Sequence, residues 1–393
     1  MSVHHIQRQS FVRKVSAGET IGDYSDPQFV RDMSIEMVHQ SRAEEAANFQ
    51  DGSSVNACLP GSKPSLARSQ LPLLSLLVSC IVSSSLPTFC DSIVGSPSPD
   101  EQIILRRKVA SVVDDILVRL PERGVDVSVA RVGGSLRPHI LGALLSEIDD
   151  PESHLPPESS LVVALDGGVN IGYHSTIVTT GLYPPFSAKL SPDEPLKLVW
   201  STTNYKSAEG DLAPLVDEVL RDEVSSGFLL PVTESQVQHV CRLAAIPKNG
   251  CSGPTVRLIS DHRRSGLNGL LSCDESCALP YLRDLLLLLH PITVTGHSLT
   301  SIQLDISHAF RTIRVSPRDV PLLGVHHKDS FYLDLALPFG LRSSPYWWNR
   351  LSSTIHRVMS VFVRLSDLSQ SVREGGLTCD PSSALCFMDL IGL

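Results

Sequence analysis

A single acidic residue within an apolar run, followed by a turn rich in proline and glycine, constrains this sequence more than any other feature. Residues 304–310 have the pattern of a strand that carries Asp305 and ends at an aromatic residue, Phe310. Residues 337–345 begin 27 positions after Phe310 and have the pattern of a turn that opens a helix. A carboxylate on a buried strand is costly unless a cation or a metal ion accompanies it. The two segments therefore predict a charged site beside Asp305.

The remaining apolar patterns predict an α+β protein. Helical spacing predicts helices over residues 100–120, 139–148, 212–227 and 343–360. Short apolar runs predict strands over residues 161–165, 242–247, 256–260, 304–315, 330–337 and 384–389. The predicted core of the C-terminal half consists of Leu304, Ile306, Ile313, Val315, Leu333, Leu335, Leu351 and Ile355.

The N-terminal hundred residues differ in composition from the rest. They contain clusters of Gly, Ser and Pro and little apolar periodicity, so residues 1–100 are predicted to be a low-complexity, poorly ordered region. Residues 71–86 are the apolar exception and predict a buried or irregular helix. Because this stretch is shorter than about 20 clean apolar residues, no membrane span or membrane partner is expected.

The charge distribution and the cysteine spacing indicate which partners, which metal sites and which cellular compartment to expect. The net charge is −9, yet residues 241–393 carry 15 Lys and Arg against 12 Asp and Glu. This mildly basic segment coincides with the two motifs and suits a nucleic-acid cleft, although chance scatter of charge explains it equally well. The nine cysteines include no CxxC pair, so no zinc site is expected. Reduced thiols predict an intracellular protein, in the cytoplasm or the nucleus.

The motifs resemble the fingers and palm of a retroelement reverse transcriptase, the RNA-directed DNA polymerase of retrotransposons. Asp305 and Phe310 match the first palm motif of that family, an aspartate followed five residues later by an aromatic residue. Residues 337–345, Leu-Pro-Phe-Gly-Leu-Arg-Ser-Ser-Pro, match its second palm motif. Residues 257–263, Arg-Leu-Ile-Ser-Asp-His-Arg, match the RLIxDxR strand of its fingers. The resemblance covers residues 205–393 and leaves residues 101–200 as an accessory region of unknown function.

The third palm motif of the family, an aromatic residue, any residue and two aspartates, is matched only in part. Residues 387–389 read Phe-Met-Asp, and Leu390 stands in place of the second aspartate. The sequence ends at Leu393, before the return strand, primer grip, thumb and RNase H domain that the family places after this motif. The resemblance thus implies a truncated palm with an antiparallel sheet, and we expect the chain to be inactive by itself. Without the upstream motifs, Asp389 would be an ordinary acid at a chain end.

The resemblance assigns the catalytic and metal-binding roles to few residues. Asp305 and Asp389 are the implied catalytic carboxylates. Together with the backbone carbonyl of Ile306, they would hold two Mg²⁺ ions, which prefer oxygen ligands. The implied partners are deoxynucleotide triphosphates and an RNA or DNA template-primer.

Nucleotide binding is implied for Lys248, Arg257, Phe310, Phe339 and Gly340. The two cations would bind the triphosphate, and Phe310 would exclude a 2′-hydroxyl group. Phe339 and Gly340 would lie beneath the incoming base, where glycine permits close approach. Each residue also has an ordinary explanation, since the cations could be surface residues and Phe310 a core aromatic.

Three functions of different classes remain open from the sequence. The first is a fragment of a retrotransposon RNA-directed DNA polymerase. The second is a decayed, non-catalytic remnant that still binds nucleic acid. The third is a globular protein with no nucleic-acid role. The nucleotide sequence beyond codon 393 would distinguish the first two, because it would show whether a second aspartate and a thumb follow.

Overall fold

The computed structural model describes residues 71–92, 98–186, 197–250, 253–277 and 306–365. The α-helices in these ranges are α1 (Pro72–Ser83), α2 (Leu86–Ser92), α3 (Pro99–Arg119), α4 (Pro138–Glu147), α5 (Leu161–Gly167), α6 (Lys206–Glu209), α7 (Ala213–Ser225), α8 (Leu267–Leu270) and α9 (Ser344–Leu365). The strands are β1 (Leu229–Val232), β2 (Val240–Cys241), β3 (Leu243–Gly250), β4 (Gly253–Ser260), β5 (Gly324–His327) and β6 (Ser330–Asp334). The predicted mixture of helices and mainly antiparallel strands is confirmed for these ranges.

The strands form a four-stranded sheet and a separate hairpin. The sheet order is β1-β6-β5-β2, in which β6 pairs antiparallel with both β1 and β5, and β2 pairs parallel with β5. β3 and β4 form an antiparallel hairpin in which Leu243 is opposite Ser260 and Gly250 is opposite Gly253. The strands predicted over 242–247, 256–260 and 330–337 are thus present, with somewhat different ends.

The strand predicted over 304–315 is wrong for its described part, residues 306–315. His308 adopts a left-handed conformation (φ 56°), and a 3₁₀ turn follows at Ala309–Thr312. Extended pairing is limited to single bridges, from Arg314 to Ala336 and from Val315 to Val169. A left-handed residue interrupts a strand, because an extended chain requires negative φ. Residues 304–305 and the strand predicted over 384–389 lie outside the described residues.

The strand predicted over 161–165 is also wrong, since these residues belong to helix α5. The Ser160 side chain accepts a hydrogen bond from the Val163 amide (3.5 Å) and so caps the helix. Leu161 and Leu165 are both buried, and their spacing of four places them on one helical face. The cap and this spacing favour a helix over a four-residue apolar strand.

The predicted longer helices are confirmed within a few residues at each end. Helix α3 starts with a capping box, in which the Glu101 amide donates to the Ser98 hydroxyl (3.3 Å) and the Ser98 amide donates to the Glu101 carboxylate (2.7 Å). Helix α7 is followed by Gly227 in the left-handed region (φ 68°), as a glycine at this position predicts. Within the described ranges, no helix is both long and apolar enough to cross a membrane.

Two regions of the sequence share the large core of the molecule. This core joins α1, α3, α4 and α5 to α9 and to the loops around Val169, Ile313 and Leu337. A second, smaller core packs α7 against β1, β3, β4 and β5. The boundary near residue 200, drawn from the sequence, therefore does not coincide with a boundary between hydrophobic cores, because the large core contains residues from both sides of it.

The prediction that residues 1–100 are poorly ordered is wrong for residues 71–92. These form α1 and α2, and Leu74, Leu77 and Leu86 are buried in the large core. The helix predicted over 71–86 is present. Residues 1–70 lie outside the described residues.

Most of the predicted C-terminal core is buried as expected. Ile313, Val315, Leu333, Leu351 and Ile355 are all buried. Ile306 and Leu335 are half-buried, and Leu304 lies outside the described residues.

Candidate functional site

The hairpin places the two predicted cations on one face. Lys248 is opposite Thr255, and Arg257 is opposite Ile246. Because side chains alternate along a strand, Lys248 and Ile246 share the face that carries Thr255 and Arg257. Both cations are exposed, whereas Leu243, Ala245 and Val256 on the opposite face are buried. The hairpin thus presents two positive charges from one side. Lys248 and Arg257 are diagonal neighbours on the ladder, and the Cα atoms of such neighbours are roughly 7–8 Å apart.

The turn that contains Phe339 and Gly340 is held against the base of this hairpin. The Ser260 amide donates to the Phe339 carbonyl (3.0 Å), and the Asn268 side-chain amide donates to the Gly340 carbonyl (2.8 Å). The Arg342 amide in turn donates to the side-chain oxygen of Asn268 (2.8 Å). Asn268 therefore fixes the turn from both sides, and it does so from the segment that follows the RLIxDxR strand.

Gly340 is the residue that permits this contact. Its φ is +102°, and a Cβ atom built on it would clash with the carbonyl oxygen of Ser260. Only glycine combines that conformation with so close an approach of two backbones. The glycine expected from the second motif thus has a definite structural reason.

Arg257, Phe339 and Phe310 come together in one stack. The Arg257 guanidinium lies over the Phe339 ring, 5.2 Å from its centroid. The centroids of the Phe310 and Phe339 rings are 5.0 Å apart, with 49° between their planes. Three of the residues singled out in the sequence, from three separate segments, therefore form a continuous surface of one cation and two aromatic rings.

A buried ion-pair cluster lies behind this stack. Arg311, next to Phe310, forms ion pairs with Glu223 on α7 and with Asp334 on β6, and it donates to the Ala336 carbonyl (3.2 Å). Burial raises the pKa of Asp334 to about 6, while the Arg311 charge acts in the opposite direction. All three charged residues line a small cavity, and Phe339 belongs to the same lining. The cluster therefore ties the Phe310 segment to a helix and a strand.

An open cleft adjoins Gly340 on the same face of the hairpin. Its lining includes Tyr205, Asp261, Arg263, Asn268 and Gly340. The Tyr205 hydroxyl donates to the Asp261 carboxylate, and both burial and this carboxylate raise the pKa of Tyr205. The Arg242 guanidinium lies 4.2 Å from the centroid of the Tyr205 ring. The Asp261 carboxylate therefore ties the end of β4 to the residue that precedes α6.

The sequence did not single out Arg311, Glu223, Asp334, Tyr205 or Arg242. Asp334 had a recognisable signal, since it is an acid at the end of the apolar strand β6. Its partners gave none, because Glu223 lies 88 residues from Arg311 and looks like any acid on an amphipathic helix.

The two predicted catalytic carboxylates, Asp305 and Asp389, lie outside the described residues. Ile306 is described and half-buried. Among the residues that the structure describes, no group of three His, Cys, Asp or Glu side chains is arranged to hold a metal ion.

Comparison with known proteins gives similarity in structure alone. No family model and no curated protein matches the chain. A mutant of the prototype foamy virus protease-reverse transcriptase is 17% identical, over 42% of this chain and 20% of that one, with a TM-score of 0.30. The native prototype foamy virus enzyme is 16% identical over 49% and 24%, with a TM-score of 0.28. A foamy viral protease-reverse transcriptase in complex with double-stranded DNA is 13% identical over 49% and 40%, with a TM-score of 0.29.

The matched part of this chain therefore spans less than half the length of each of these proteins. Part of the backbone is similar to foamy virus protease-reverse transcriptases. Identities and TM-scores in this range transfer no residue roles to this chain.

Proposed function

We propose that this chain contains the fingers and palm of a retrotransposon RNA-directed DNA polymerase, a reverse transcriptase. The observation that carries the proposal is the stack of Arg257, Phe339 and Phe310, assembled from three separate segments. This combination suits a nucleoside triphosphate, because its phosphates bind cations and its base and sugar pack on flat apolar surfaces. The motifs around Asp305 and Gly340 support the same proposal from the sequence.

Each residue of the site has a role in this proposal. Arg257 and Lys248 bind oxygens of the triphosphate, Arg257 through two parallel hydrogen bonds and Lys248 as a point charge. Phe310 packs against the sugar and leaves no room for a 2′-hydroxyl group. Phe339 supports the incoming base, and Gly340 lets the template approach the backbone.

Asp305, Asp389 and the Ile306 carbonyl would hold the magnesium ions. Carboxylate and carbonyl oxygens are the ligand types that Mg²⁺ takes in proteins. When bound, two such ions neutralise charge on the phosphate that is transferred. The proposed substrates are deoxynucleotide triphosphates and an RNA or DNA template-primer.

A second candidate is a non-catalytic protein of the same ancestry that retains nucleic-acid binding. Leu390 favours it, because the third motif of the family has an aspartate at that position. A missing carboxylate weakens charge compensation at a metal site without removing the cationic face of the hairpin.

Nucleotide binding by Arg257 tests the proposal directly. Arg257→Ala should weaken the affinity for a deoxynucleoside triphosphate about 10- to 100-fold, since charge-assisted hydrogen bonds contribute about 1.5–3 kcal/mol. Calorimetric titration in the presence of primed template and Mg²⁺ measures this change. Arg318→Ala, which removes another exposed arginine, is the matched control and should leave the affinity unchanged.

Incorporation tests whether the chain itself is catalytic. Template-directed extension that disappears in Asp305→Ala supports the polymerase and overturns the expectation that the chain is inactive by itself. Binding of nucleotide and template-primer without extension is expected of both candidates, which the nucleotide sequence beyond codon 393 then distinguishes. A chain that binds neither ligand would exclude both.

A further inference from the structure

The accessory region reaches the rim of the candidate site through residues 177–186. This segment runs beside residues 272–276, where the Ile177 amide donates to the Ser272 carbonyl (3.0 Å). The Phe186 amide donates to the Asp274 carbonyl (2.7 Å), and the Ser276 amide donates to the Pro184 carbonyl (2.9 Å). Backbone bonds at both ends therefore fix the path of the segment.

A buried carboxylate holds the same segment from within. Glu275 accepts hydrogen bonds from the amides of Thr180 (2.8 Å) and Gly181 (2.6 Å) and from the Tyr346 hydroxyl (2.8 Å). Glu275 is 5% exposed, and its carboxylate is satisfied by the accessory segment and by α9 together. The segment is thus a built part of the molecule, so a side chain at its end is presented in a defined place.

That side chain is Phe186, which stacks on Arg342. The Arg342 guanidinium lies 4.3 Å from the centroid of the Phe186 ring. Arg342 also donates from its guanidinium to the carbonyls of Asn268 (3.5 Å) and Leu271 (3.4 Å), so the cation is held in position. Phe186 is 37% exposed, so part of this residue stays open to solvent beside the fixed guanidinium.

The pair stands directly beside the cleft. Arg342 lies two residues after Gly340, and both are bonded to Asn268, which lines the cleft together with Gly340 and Arg263. The rim therefore combines an exposed ring, a fixed guanidinium and a nearby exposed cation. Single-stranded nucleic acid is bound by this combination, in which bases stack on rings and cations follow the phosphates.

We propose that Phe186 and Arg342 form a stacking platform for the unpaired strand of a template, so that the accessory region supplies part of the nucleic-acid site. The inference rests on the proposed function and adds a residue from outside the segment that resembles a reverse transcriptase. The platform recognises an unpaired base by its flat face and not by its identity. Duplex ends, whose bases are already stacked, do not need it.

Binding of two DNA ligands tests the platform. Fluorescence anisotropy compares a duplex that has a single-stranded 5′ extension with the blunt duplex of the same sequence. Phe186→Ala should weaken binding of the extended duplex about 5- to 150-fold, the range for loss of one base–aromatic stack, and leave the blunt duplex unchanged. Phe186→Trp should retain the affinity, because it keeps a flat ring.

Two further variants exclude a general effect on the fold. Leu182→Ala removes another exposed apolar side chain of the same segment and should leave both affinities unchanged. Phe186→Leu keeps apolar volume but no ring, and it should behave like Phe186→Ala, with an unchanged circular dichroism spectrum. If Phe186→Ala does not fold, the affinities of Phe186→Leu and Phe186→Trp for the extended duplex show whether a flat ring is needed at this position.

The outcomes separate this inference from the proposed function. Wild-type protein that binds neither duplex contradicts the proposed function and the platform with it. Wild-type binding that survives Phe186→Leu, or that falls equally for both duplexes, overturns the platform alone. Selective loss of the extended duplex supports it.

Discussion

Gly340 marks the point where the backbones of two motifs are in direct contact. Its carbonyl accepts a hydrogen bond from Asn268, and its Cα faces the Ser260 carbonyl without room for a side chain. The ring of the neighbouring residue, Phe339, contacts both Arg257 and Phe310. The position of Gly340 therefore sets the position of the stack.

Gly340→Ala should lower the free energy of unfolding by about 2–3 kcal/mol or more, because both strain at positive φ and a backbone clash oppose the new methyl group. Gly124→Ala is the matched control, since Gly124 also has positive φ (+77°) but nothing lies near a Cβ there. Strain alone should cost the control about 1 kcal/mol. Urea unfolding of the two variants measures the difference, and equal losses would show that the contact with Ser260 is relieved by small movements.

The site residues that could be predicted from the sequence belong to short motifs, whereas those that could not are brought together only by the fold. Phe310, Phe339 and Gly340 belong to short motifs, so their local pattern marks them without knowledge of the fold. Glu223 becomes notable only because the buried Arg311 brings it together with Asp334. An ion pair between residues so far apart in sequence leaves no local pattern. The same holds for the hydrogen bond between Tyr205 and Asp261, although Asp261 itself belongs to the RLIxDxR motif.

Elements were predictable where a long periodic pattern or a cap supports them. Helices α3, α7 and α9 have the periodic pattern, and α3 also begins with a capping box; all three were predicted within a few residues. Short segments failed, since four to six apolar residues suit a strand and a buried helical turn equally. Residues 161–165 form a helix that the Ser160 side chain caps. After residue 306, the left-handed conformation of His308 interrupts the extended chain.

Helix α9 is attached to the accessory region by a buried ion pair. Arg350 donates to both oxygens of Glu152 (2.9 and 2.7 Å) and to the Ser159 carbonyl (2.5 Å). The two side chains are 1% and 0% exposed. A charge so deeply buried depends on its partner, because water cannot replace it.

Glu152→Ala should therefore lower the free energy of unfolding by about 3–5 kcal/mol, since it leaves Arg350 buried and unpaired. The double variant Glu152→Leu with Arg350→Met should recover much of this loss, because apolar side chains of similar size need no partner. Asp115→Ala, which breaks the exposed pair with Arg119, is the control and should change stability by less than about 1 kcal/mol. Chemical denaturation of all three variants measures their free energies of unfolding, and the loss should be largest for Glu152→Ala. A double variant as unstable as Glu152→Ala would mean that packing, not the unpaired charge, causes the loss.

At the scale of the whole molecule, one core unites parts of the chain that differ in sequence character. Leu74 in α1, Ile140 in α4 and Phe362 in α9 belong to the same cluster, although the first two lie before residue 200 and the last lies near the end of the described residues. A composition-based boundary could not reveal this packing, because it depends on contacts between residues more than two hundred positions apart. The described residues should accordingly unfold as one cooperative unit.

The stability of this unit should fall as the pH falls below neutrality, and two buried histidines are the reason. Burial lowers the pKa of His239 to about 4 and that of His262 to about 3, from an ordinary value near 6.5. Below pH 6.5 the unfolded chain takes up protons that the folded chain does not, so each histidine reduces stability by up to about 1.4 kcal/mol per pH unit. The stabilisation from keeping these rings neutral is complete above pH 6.5 and is lost as the pH falls toward 4. Asp334 acts in the opposite sense between about pH 4 and 6, because its raised pKa makes the folded chain bind the extra proton there.

Two histidines against Asp334 and Glu147, whose pKa burial also raises, leave a net loss of no more than roughly 1.4 kcal/mol per pH unit between pH 6 and 4. His262→Leu should cancel most of this slope, whatever its effect on packing at pH 7, because it removes one of the two groups. The slope is measured by urea unfolding at half-unit intervals from pH 7 to 4.5. His356→Leu, at an exposed position on α9, measures the effect of removing an imidazole from the surface. A slope in His262→Leu equal to that of the wild type would show that His262 is hydrated or paired in solution, since a ring with both nitrogens buried and unpartnered must resist protonation.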